Sequence, residues 1–326
     1  MSTPPTSALP PGLRGATITG WGTALPDTVV TNADYEARLD TSDEWITERT
    51  GIKERRHGGT TAGLAVQAGR AAMEMAGVTG DDIDYVILAT TSPDYQIPST
   101  ASQVQEELGI AGGAVDLNAA CSGFVYGLVH AHGLIAMGLQ RILLVGAETL
   151  SRLTDQEDRN TAILFGDGAG AVVLEASDDG QLLAFDMGSD GSARKYLDAP
   201  IGGYMQMVGK EVFRRAVTVM VESARSSMAA AGVTADDIAL VVPHQANIRI
   251  IEAACSRLKI GSEKVSTVLH ATGNTSSASI PLALVEALEG GRVQPGDLVL
   301  LVGFGAGMSW ASAVIRWTGH LPEGDR

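Results

Sequence analysis

Two segments of this chain recur about half a chain later, and this internal duplication constrains the fold more than any other feature. Residues 76–83 (AGVTGDDI) recur as residues 231–238 (AGVTADDI), an offset of 155, and residues 143–146 (LLVG) recur as residues 300–303, an offset of 157. Each copy of the first segment has the pattern of a helix end, a glycine C-cap, a capped turn and a buried strand. The sequence therefore predicts two similar α/β halves.

The strand signals indicate sheets that are covered on both faces. Unbroken apolar runs stand at residues 141–145, 171–174, 298–302 and 313–315. Such runs are typical of strands that helices bury on both sides. We therefore expect the two halves to pack together through their helices, with a site at their junction.

The duplication also sets the expected boundaries. We predict an N-terminal half over residues 14–178 and a C-terminal half over residues 179–326. Residues 1–13 contain four prolines and no long apolar run, which predicts a disordered leader rather than a signal peptide.

Composition excludes several classes of function. A net charge of −15 argues against nucleic acid as a main partner, because neutralising phosphates requires a clustered excess of Lys and Arg. No apolar stretch approaches the roughly 18 residues needed to cross a bilayer, so no membrane partner is expected. Two cysteines are too few for a disulfide framework and fit a reducing cytoplasm.

One of these cysteines has a sequence context that suits chemistry. Cys121 stands where a strand-like run gives way to small residues and then to the helical pattern of residues 124–135. A thiol at a helix N-terminus is expected to have a lowered pKa and to form thiolate readily. The alternative is a small buried core cysteine, which is the interpretation we give to Cys255.

Two further polar residues follow buried strands or precede helices. His244 comes directly after the strand-like residues 240–243, and ligands gather at strand ends in open α/β sheets. Asn274 lies in a cluster of Gly, Ser and Thr before a helical pattern. Taken singly, each residue has a structural alternative: a buried histidine with its hydrogen bonds satisfied, and a capping or turn asparagine.

The glycine-rich residues 303–307 (GFGAG) also follow a buried strand. A nucleotide site is disfavoured because the chain has neither Gly-x-Gly-x-x-Gly after its first strand nor Gly-Lys-Ser/Thr in this loop. Backbone N–H groups in such a loop suit an oxyanion hole instead. Neither Cys-x-x-Cys nor His-Glu-x-x-His occurs, and no metal is expected.

Taken together, the motifs resemble one family. ACSGF, VPHQAN and GNTSSAS occur in this order at residues 120–124, 242–247 and 273–279, with DTSDEWI at residues 40–46 and FGDGAG at residues 165–170. This set is similar to the β-ketoacyl-acyl-carrier-protein synthase III family of condensing enzymes. The resemblance implies a thiolase-like five-layered αβαβα fold made of two duplicated halves, and a homodimer.

The resemblance also implies the chemistry. Enzymes of this family catalyse a decarboxylative Claisen condensation of an acyl-CoA primer with malonyl-acyl-carrier-protein through an acyl-cysteine, which initiates fatty acid biosynthesis without a cofactor. The roles carried over are Cys121 as nucleophile, His244 and Asn274 as donors to the enolate of the malonyl thioester, and the backbone N–H groups of Cys121 and Ala306 as oxyanion hole. Neutral donors suit an enolate, since they stabilise its charge without a metal.

The family's binding residues carry over position by position. Trp45 and Arg49 match the pair that stacks on the adenine of coenzyme A. Ile97 stands at the floor of the acyl pocket, where acetyl-specific relatives carry phenylalanine, and so predicts room for primers longer or more branched than acetyl. The remaining positions are the coenzyme path (Thr41, Arg159, Gly209, Asn247, Arg249) and a basic patch for the acidic carrier protein (Lys210, Arg214, Arg249). For Lys210 and Arg214 the alternative is a solvated helix face without a partner.

Two other functions remain open. A polyketide-priming ketosynthase or acyltransferase of secondary metabolism has the same fold and the same nucleophile. A Cys-His-Asn hydrolase would use the same residue types, but the duplicated halves and the Trp45 and Arg49 pair disfavour it. Thiolase itself is disfavoured because residues 303–307 lack its second catalytic cysteine.

Overall fold

The structure, a computed structural model, describes residues 6–8, 13–178 and 180–318. Within these residues the strands are β1 (Thr6–Ala8), β2 (Gly15–Ala24), β3 (Val29–Thr31), β4 (Glu54–Arg56), β5 (Tyr85–Ala89), β6 (Gly113–Leu117), β7 (Arg141–Thr149), β8 (Asp167–Ser177), β9 (Leu182–Ser189), β10 (Leu197–Asp198), β11 (Gln206–Met207), β12 (Ile238–Pro243), β13 (Leu298–Gly305) and β14 (Ser309–Arg316). The helices are α1 (Asn32–Glu36), α2 (Asp43–Thr50), α3 (Thr61–Ala76), α4 (Thr100–Glu107), α5 (Gly123–Ala136), α6 (Arg159–Ala162), α7 (Gly209–Ala231), α8 (Ile248–Leu258), α9 (Leu269–Thr272) and α10 (Ser279–Glu289).

Two five-stranded sheets have matching topology. The first has the order β2-β8-β7-β5-β6 and the second the order β1-β9-β14-β13-β12. In both, a parallel pair (β5 with β7, β12 with β13) is followed by two antiparallel neighbours. A parallel bridge from Val241 to Val265 beside β12 occupies the place that β6 has beside β5. The repeat seen in the sequence is therefore a repeat of topology.

Helices cover each sheet on both faces. Helices α5 and α10 lie between the sheets, and their apolar side chains form one core with the inner faces of both. Helices α3 and α4 cover the outer face of the first sheet, and α7 and α8 that of the second. The predicted five-layered αβαβα fold is confirmed.

The repeated LLVG segment shows why these strands are apolar throughout. Leu144 and Leu301 point into the central core, whereas Leu143 and Leu300 point into the outer cores of their sheets. Successive side chains of a strand face opposite sides. A strand with a helix layer on each side must therefore be apolar at every position.

The other repeat builds the same turn twice. Helices α3 and α7 end at Gly77 and Gly232, whose φ values of 68° and 70° lie in the left-handed region that favours glycine. Thr79 then forms a capping box with Asp82, and Thr234 forms one with Asp237. Each turn leads into the parallel strand of its half, β5 or β12.

The leader differs from the prediction at one place. Thr6–Ala8 pairs antiparallel with β9, with Thr6 opposite Asp186 and Ala8 opposite Ala184. The prediction of disorder therefore does not hold for these three residues, whose backbone groups complete the edge of the second sheet. The rest of the predicted leader before residue 13, together with residues 179 and 319–326, lies outside the described residues. No helix in the described part of the chain is both long and apolar enough to span a bilayer.

Candidate active site

A cavity of about 1040 Å³ lies where the two halves meet, at the carboxyl ends of their parallel strands. Cys121 comes from the first half, and His244, Asn274 and Ala306 come from the second; all four line the cavity. Ligand sites of α/β folds gather at this end of the strands. The structure thus brings the predicted triad and the predicted oxyanion residues into one cavity.

Cys121 sits in a short 3-10 turn, Ala120–Ser122, that leads directly into α5. The end of β13 lies against this turn: a Cβ atom on Gly305 would stand 2.5 Å from the backbone nitrogen of Cys121. Only glycine allows that approach. On the other side, Ser122 Oγ donates to Ser309 Oγ at 2.9 Å. Residues of the second half therefore fix the position of the turn in the first half that carries Cys121.

The electrostatics of Cys121 run against the sequence prediction. The pKa of the Cys121 thiol is raised to about 12, mainly by burial; the Ser276 side chain acts to lower it and the Glu148 charge to raise it. We predicted a lowered pKa from the helix N-terminus. The structure gives the opposite direction, because desolvation in the cavity disfavours the thiolate.

His244 is buried and neutral. Its side chain is 1% exposed, and burial lowers the pKa of the imidazole to about 3. Nδ1 lies 2.7 Å from Ser279 Oγ, which also accepts the Gln245 N–H at 3.3 Å. Among the described residues, Nδ1 is the one acceptor within hydrogen-bond distance of the Ser279 hydroxyl, so we assign the Ser279 proton to Nδ1. The remaining proton of the neutral ring then sits on Nε2.

Asn274 is clamped by the first half. Its backbone N–H donates to Leu164 O at 2.8 Å, and its carbonyl accepts from Gly166 N at 3.0 Å. Its side-chain Oδ1 accepts the Ser276 N–H at 2.9 Å. Because the amide oxygen is already occupied, the NH₂ group is the part of Asn274 left to donate into the cavity.

The predicted coenzyme residues form a cluster at the cavity. The guanidinium groups of Arg49 and Arg159 lie 5.5 Å and 5.2 Å from the Trp45 ring centroid. Asn247 caps α8 and donates to Arg49 O at 3.0 Å. Trp45, Arg49, Asn247, Gly209 and Arg249 line the cavity. Thr41 and Arg159 do not line the cavity. Arg159 packs on Trp45, which does.

Of the residues predicted for the acyl pocket and the carrier-protein patch, only Arg249 lines the cavity. Ile97 is 89% exposed and is absent from the cavity wall of its own chain. Arg214 forms an ion pair with Glu211 at 2.8 Å, so its charge is partly neutralised. Arg249 lines the cavity mouth with its guanidinium 5.9 Å from the Phe213 ring centroid. Lys210 lies in the first turn of α7.

Sequence reasoning missed two groups behind the triad. Glu148 is fully buried (0% exposed) and accepts hydrogen bonds from Thr91 N, Ser92 Oγ and Ser277 Oγ at 3.0, 2.6 and 2.8 Å. The sequence does contain a signal for Glu148, because a carboxylate at the end of the apolar run of β7 is expected to be buried and to need hydrogen-bond partners. Ser279 gave no signal separate from its motif. In residues 13–178 and 180–318, no three His, Cys, Asp or Glu side chains cluster so as to hold a metal ion.

Comparison with known proteins identifies the family. Two family models match, one described as 3-oxoacyl-acyl-carrier-protein synthase III over residues 115–191 and one as its C-terminal part over residues 228–317. A β-ketoacyl-acyl-carrier-protein synthase III of Geobacillus kaustophilus is 48% identical over 309 residues, which span 93% of this chain and 99% of the relative. The chain belongs to the β-ketoacyl-acyl-carrier-protein synthase III family.

Solved structures agree with this membership in the synthase III family. The crystal structure of the 3-oxoacyl-acyl-carrier-protein synthase III of Aquifex aeolicus matches with a TM-score of 0.91 at 46% identity, covering 93% of this chain and 100% of that chain. The priming β-ketosynthase of a polyketide pathway matches with a TM-score of 0.89 at 35% identity, covering 95% and 98%. The predicted family and acyltransferase class are confirmed, and the synthase III function in fatty acid biosynthesis is favoured over the polyketide-priming alternative.

Proposed function

We propose that this synthase III uses Cys121 as its nucleophile, with His244 and Asn274 as the donors that stabilise the enolate. The convergence of these three side chains, contributed by both halves, on one cavity carries the proposal. The expected substrates are an acyl-CoA primer and malonyl-acyl-carrier-protein.

The first half-reaction acylates Cys121. The sulfur attacks the thioester carbonyl of the primer, and the oxyanion that forms accepts hydrogen bonds from the backbone N–H groups of Cys121 and Ala306. Collapse expels coenzyme A, which leaves as the free thiol and carries away the proton of the Cys121 thiol. Because burial raises the pKa of Cys121 to about 12, the resting nucleophile is the thiol, and its proton must leave during this step.

The second half-reaction forms the carbon–carbon bond. Malonyl thioester loses CO₂, and the electron pair of the broken bond becomes an enolate whose oxygen accepts from His244 Nε2–H and the Asn274 amide. The enolate carbon attacks the acyl-Cys121 carbonyl, and the tetrahedral intermediate collapses to a β-ketoacyl product and the Cys121 thiolate, which is then reprotonated. A histidine whose pKa is lowered to about 3 stays neutral and donates without first losing a charge. This chemistry asks for no cofactor.

The carrier protein is proposed to dock at the mouth of the cavity. Lys210 and Arg249 are the cations we assign to this patch, and Arg214 contributes less because Glu211 pairs with it. With a net charge of −15 on the chain, the attraction must act locally, within a Debye length of about 8 Å at physiological salt.

A cytoplasmic homodimer is the proposed working form. Both cysteines are free thiols in the structure, as a reducing compartment would keep them. Strand β6 is an edge of the first sheet with Val115 exposed, and the nearby Tyr95 and Ile97 are also exposed. A second copy would cover this apolar edge. Ile97 can then act in an acyl pocket only by entering the cavity of the partner copy.

Intact-protein mass spectrometry tests the proposed chemistry. The enzyme is mixed with a panel of acyl-CoAs, alone and as Cys121→Ser, with Cys255→Ser as the matched control, and then chased with malonyl-acyl-carrier-protein. An acyl adduct that requires Cys121, survives in Cys255→Ser and is converted to a β-ketoacyl product is the expected result. Release of the adduct only as free acid would contradict condensation and indicate a hydrolase.

A further inference from the structure

Ser276 is a polar residue of the cavity wall that has no role in the proposed reaction. It begins the 3-10 turn Ser276–Ala278, two residues after Asn274, and lines the cavity. Its side chain is 2% exposed, and its Oγ has no hydrogen-bond partner among the described residues. A buried hydroxyl without a partner destabilises the folded state.

The backbone conformation of Ser276 is also energetically unfavourable. Its φ is 47°, in the left-handed region that residues with a Cβ atom seldom adopt. Strained backbone of this kind persists only where the surroundings impose it, and it is concentrated at functional sites. An unpaired hydroxyl and a strained backbone at one residue of a cavity wall suggest that both are kept for function.

The surroundings that impose this conformation are visible. The Ser276 N–H donates to Asn274 Oδ1 at 2.9 Å, and the next residue is anchored in the first half. Ser277 Oγ lies 2.8 Å from Glu148 Oε1 and 2.7 Å from Ala89 O. Held on both sides, Ser276 directs its N–H to Asn274 and its side chain into the cavity.

The side chain of Ser276 faces the nucleophile. The turn Ser276–Ala278 packs against the turn Ala120–Ser122 that carries Cys121. The Ser276 hydroxyl acts to lower the pKa of the thiol, opposing the larger effect of burial. No other group among the described residues accepts a hydrogen bond from the Ser276 hydroxyl, so no partner competes with the sulfur of Cys121 for it.

We infer that Ser276 is a further catalytic residue, whose hydroxyl donates a hydrogen bond to the sulfur of Cys121 when negative charge develops on it. This happens twice in a cycle: when the thiol is activated for acylation, and when the tetrahedral intermediate expels the thiolate. Charge-assisted hydrogen bonds are stronger than neutral ones, so the bond favours the charged states over the resting thiol. The inference rests on the proposed role of Cys121.

Alkylation of Cys121 by iodoacetamide is the test, because it reports the thiolate without needing any substrate. The rate constant is measured by intact-protein mass spectrometry between about pH 6 and pH 9, where the rate follows the thiolate fraction, with Cys121→Ser as the background. Ser276→Ala keeps the N–H that orients Asn274 and removes only the hydroxyl. Thr275→Val is the matched control, since Thr275 is also buried with an unpartnered hydroxyl but does not line the cavity.

The expected result is a rate constant about tenfold lower at each pH in Ser276→Ala, as a rise of one pKa unit in the thiol produces. The rate constant of Thr275→Val should stay within about twofold of that of the parent, which corresponds to a change of about a third of a pKa unit in the thiol. Ser276→Gly covers the case in which the alanine variant folds poorly. It relieves the left-handed backbone, so it should unfold at a higher temperature than the parent and still react more slowly.

Three outcomes overturn the inference or its basis. If Ser276→Ala and Ser276→Gly react as fast as the parent while Cys121→Ser does not react, Ser276 has no part in the reaction and the nucleophile stands. If Thr275→Val slows alkylation as much as Ser276→Ala, the effect is structural. If the parent reacts no faster than Cys121→Ser, the proposed role of Cys121 itself fails.

Discussion

Ser279 Oγ lies 2.7 Å from Nδ1 of His244, at the start of the helix that fills the centre of the molecule. Among the described residues, Nδ1 is the one acceptor within hydrogen-bond distance of this hydroxyl, so we assign the Ser279 proton to it. With this assignment, helix α10 sets which nitrogen of His244 carries the remaining hydrogen. The central layer of the fold controls the protonation pattern of the proposed donor.

Ser279→Ala is expected to slow condensation more than acylation. Without the hydroxyl, the neutral imidazole populates both tautomers, and only the Nε2–H form can donate to the enolate. We expect a fall of roughly tenfold in the condensation rate, less than the 10²–10³ that follows loss of a whole donor. Single-turnover mass spectrometry separates the two half-reactions. Ser279→Thr, which restores a hydroxyl, should recover most of the rate; equal loss in both half-reactions would contradict a role in setting the tautomer.

Glu148 is expected to hold the two halves together at the active site. Glu148→Gln places an NH₂ group among N–H and O–H donors, leaving several of them without an acceptor. We expect the free energy of unfolding to fall by about 2–4 kcal/mol, as for a broken buried network. Urea denaturation measures this. Glu175→Gln, which removes the carboxylate of a half-exposed pair with Arg141 at 2.8 Å, should cost less than about 1 kcal/mol.

His132 is expected to make the protein sensitive to acid. It is 4% exposed, neither ring nitrogen has a hydrogen-bond partner among the described residues, and burial lowers its pKa to about 4 from an ordinary 6.5. The unfolded chain therefore binds the proton first, so the stability present above pH 6.5 is lost as the pH falls toward 4. This one group accounts for up to about 3 kcal/mol.

The variant His132→Leu isolates this effect. Urea unfolding at several pH values should show a smaller loss of stability in acid for His132→Leu than for the parent. His244 contributes in the same direction in both proteins and cancels in the comparison. His130→Leu, on the exposed side of the same helix, is the control. Parallel pH profiles for the parent and His132→Leu would exclude His132 as the cause.

The carrier patch should depend on Lys210 and Arg249 more than on Arg214. Charge reversal at Lys210 is expected to raise KM for malonyl-acyl-carrier-protein several-fold at low salt, with a smaller effect at high salt, because surface attraction is screened. Arg214→Gln should change KM little, since its charge is already paired with Glu211. Steady-state kinetics at two ionic strengths measures both changes in KM. Equal increases in KM for the Lys210 and Arg214 variants would place Arg214 in the patch as well.

Ile97→Phe is expected to shift primer choice toward acetyl-CoA only if the enzyme is a dimer. The larger ring would narrow the acyl pocket of the partner copy, so butyryl- to octanoyl-CoA should acylate Cys121 more slowly while acetyl-CoA is affected less. Acylation is measured by mass spectrometry and the oligomeric state by light scattering. An unchanged preference in a confirmed dimer would remove Ile97 from the pocket. Efficient acylation of the parent by acetyl-CoA alone would refute the prediction of longer primers.

Much of the architecture was readable from the chain. The LLVG and AGVT repeats predicted two matching halves, because a strand buried on both faces and a capped helix-to-strand turn need few and specific residue types. Cys121, His244 and Asn274 were found through their motifs, and the structure places all three in one cavity. Local patterns suffice where a residue's role depends on its neighbours in sequence.

The properties that depend on distant residues were out of reach of the sequence. The pKa direction of Cys121 was predicted wrongly, because burial by the second half is not visible in residues 120–124. The exposure of Ile97 and the strand formed by Thr6–Ala8 likewise arise from packing across the chain. The sequence by itself determined the fold class and which side chains could react. Tertiary structure alone decided how those side chains are charged, oriented and shielded, since desolvation and hydrogen bonding sum over every segment that surrounds them.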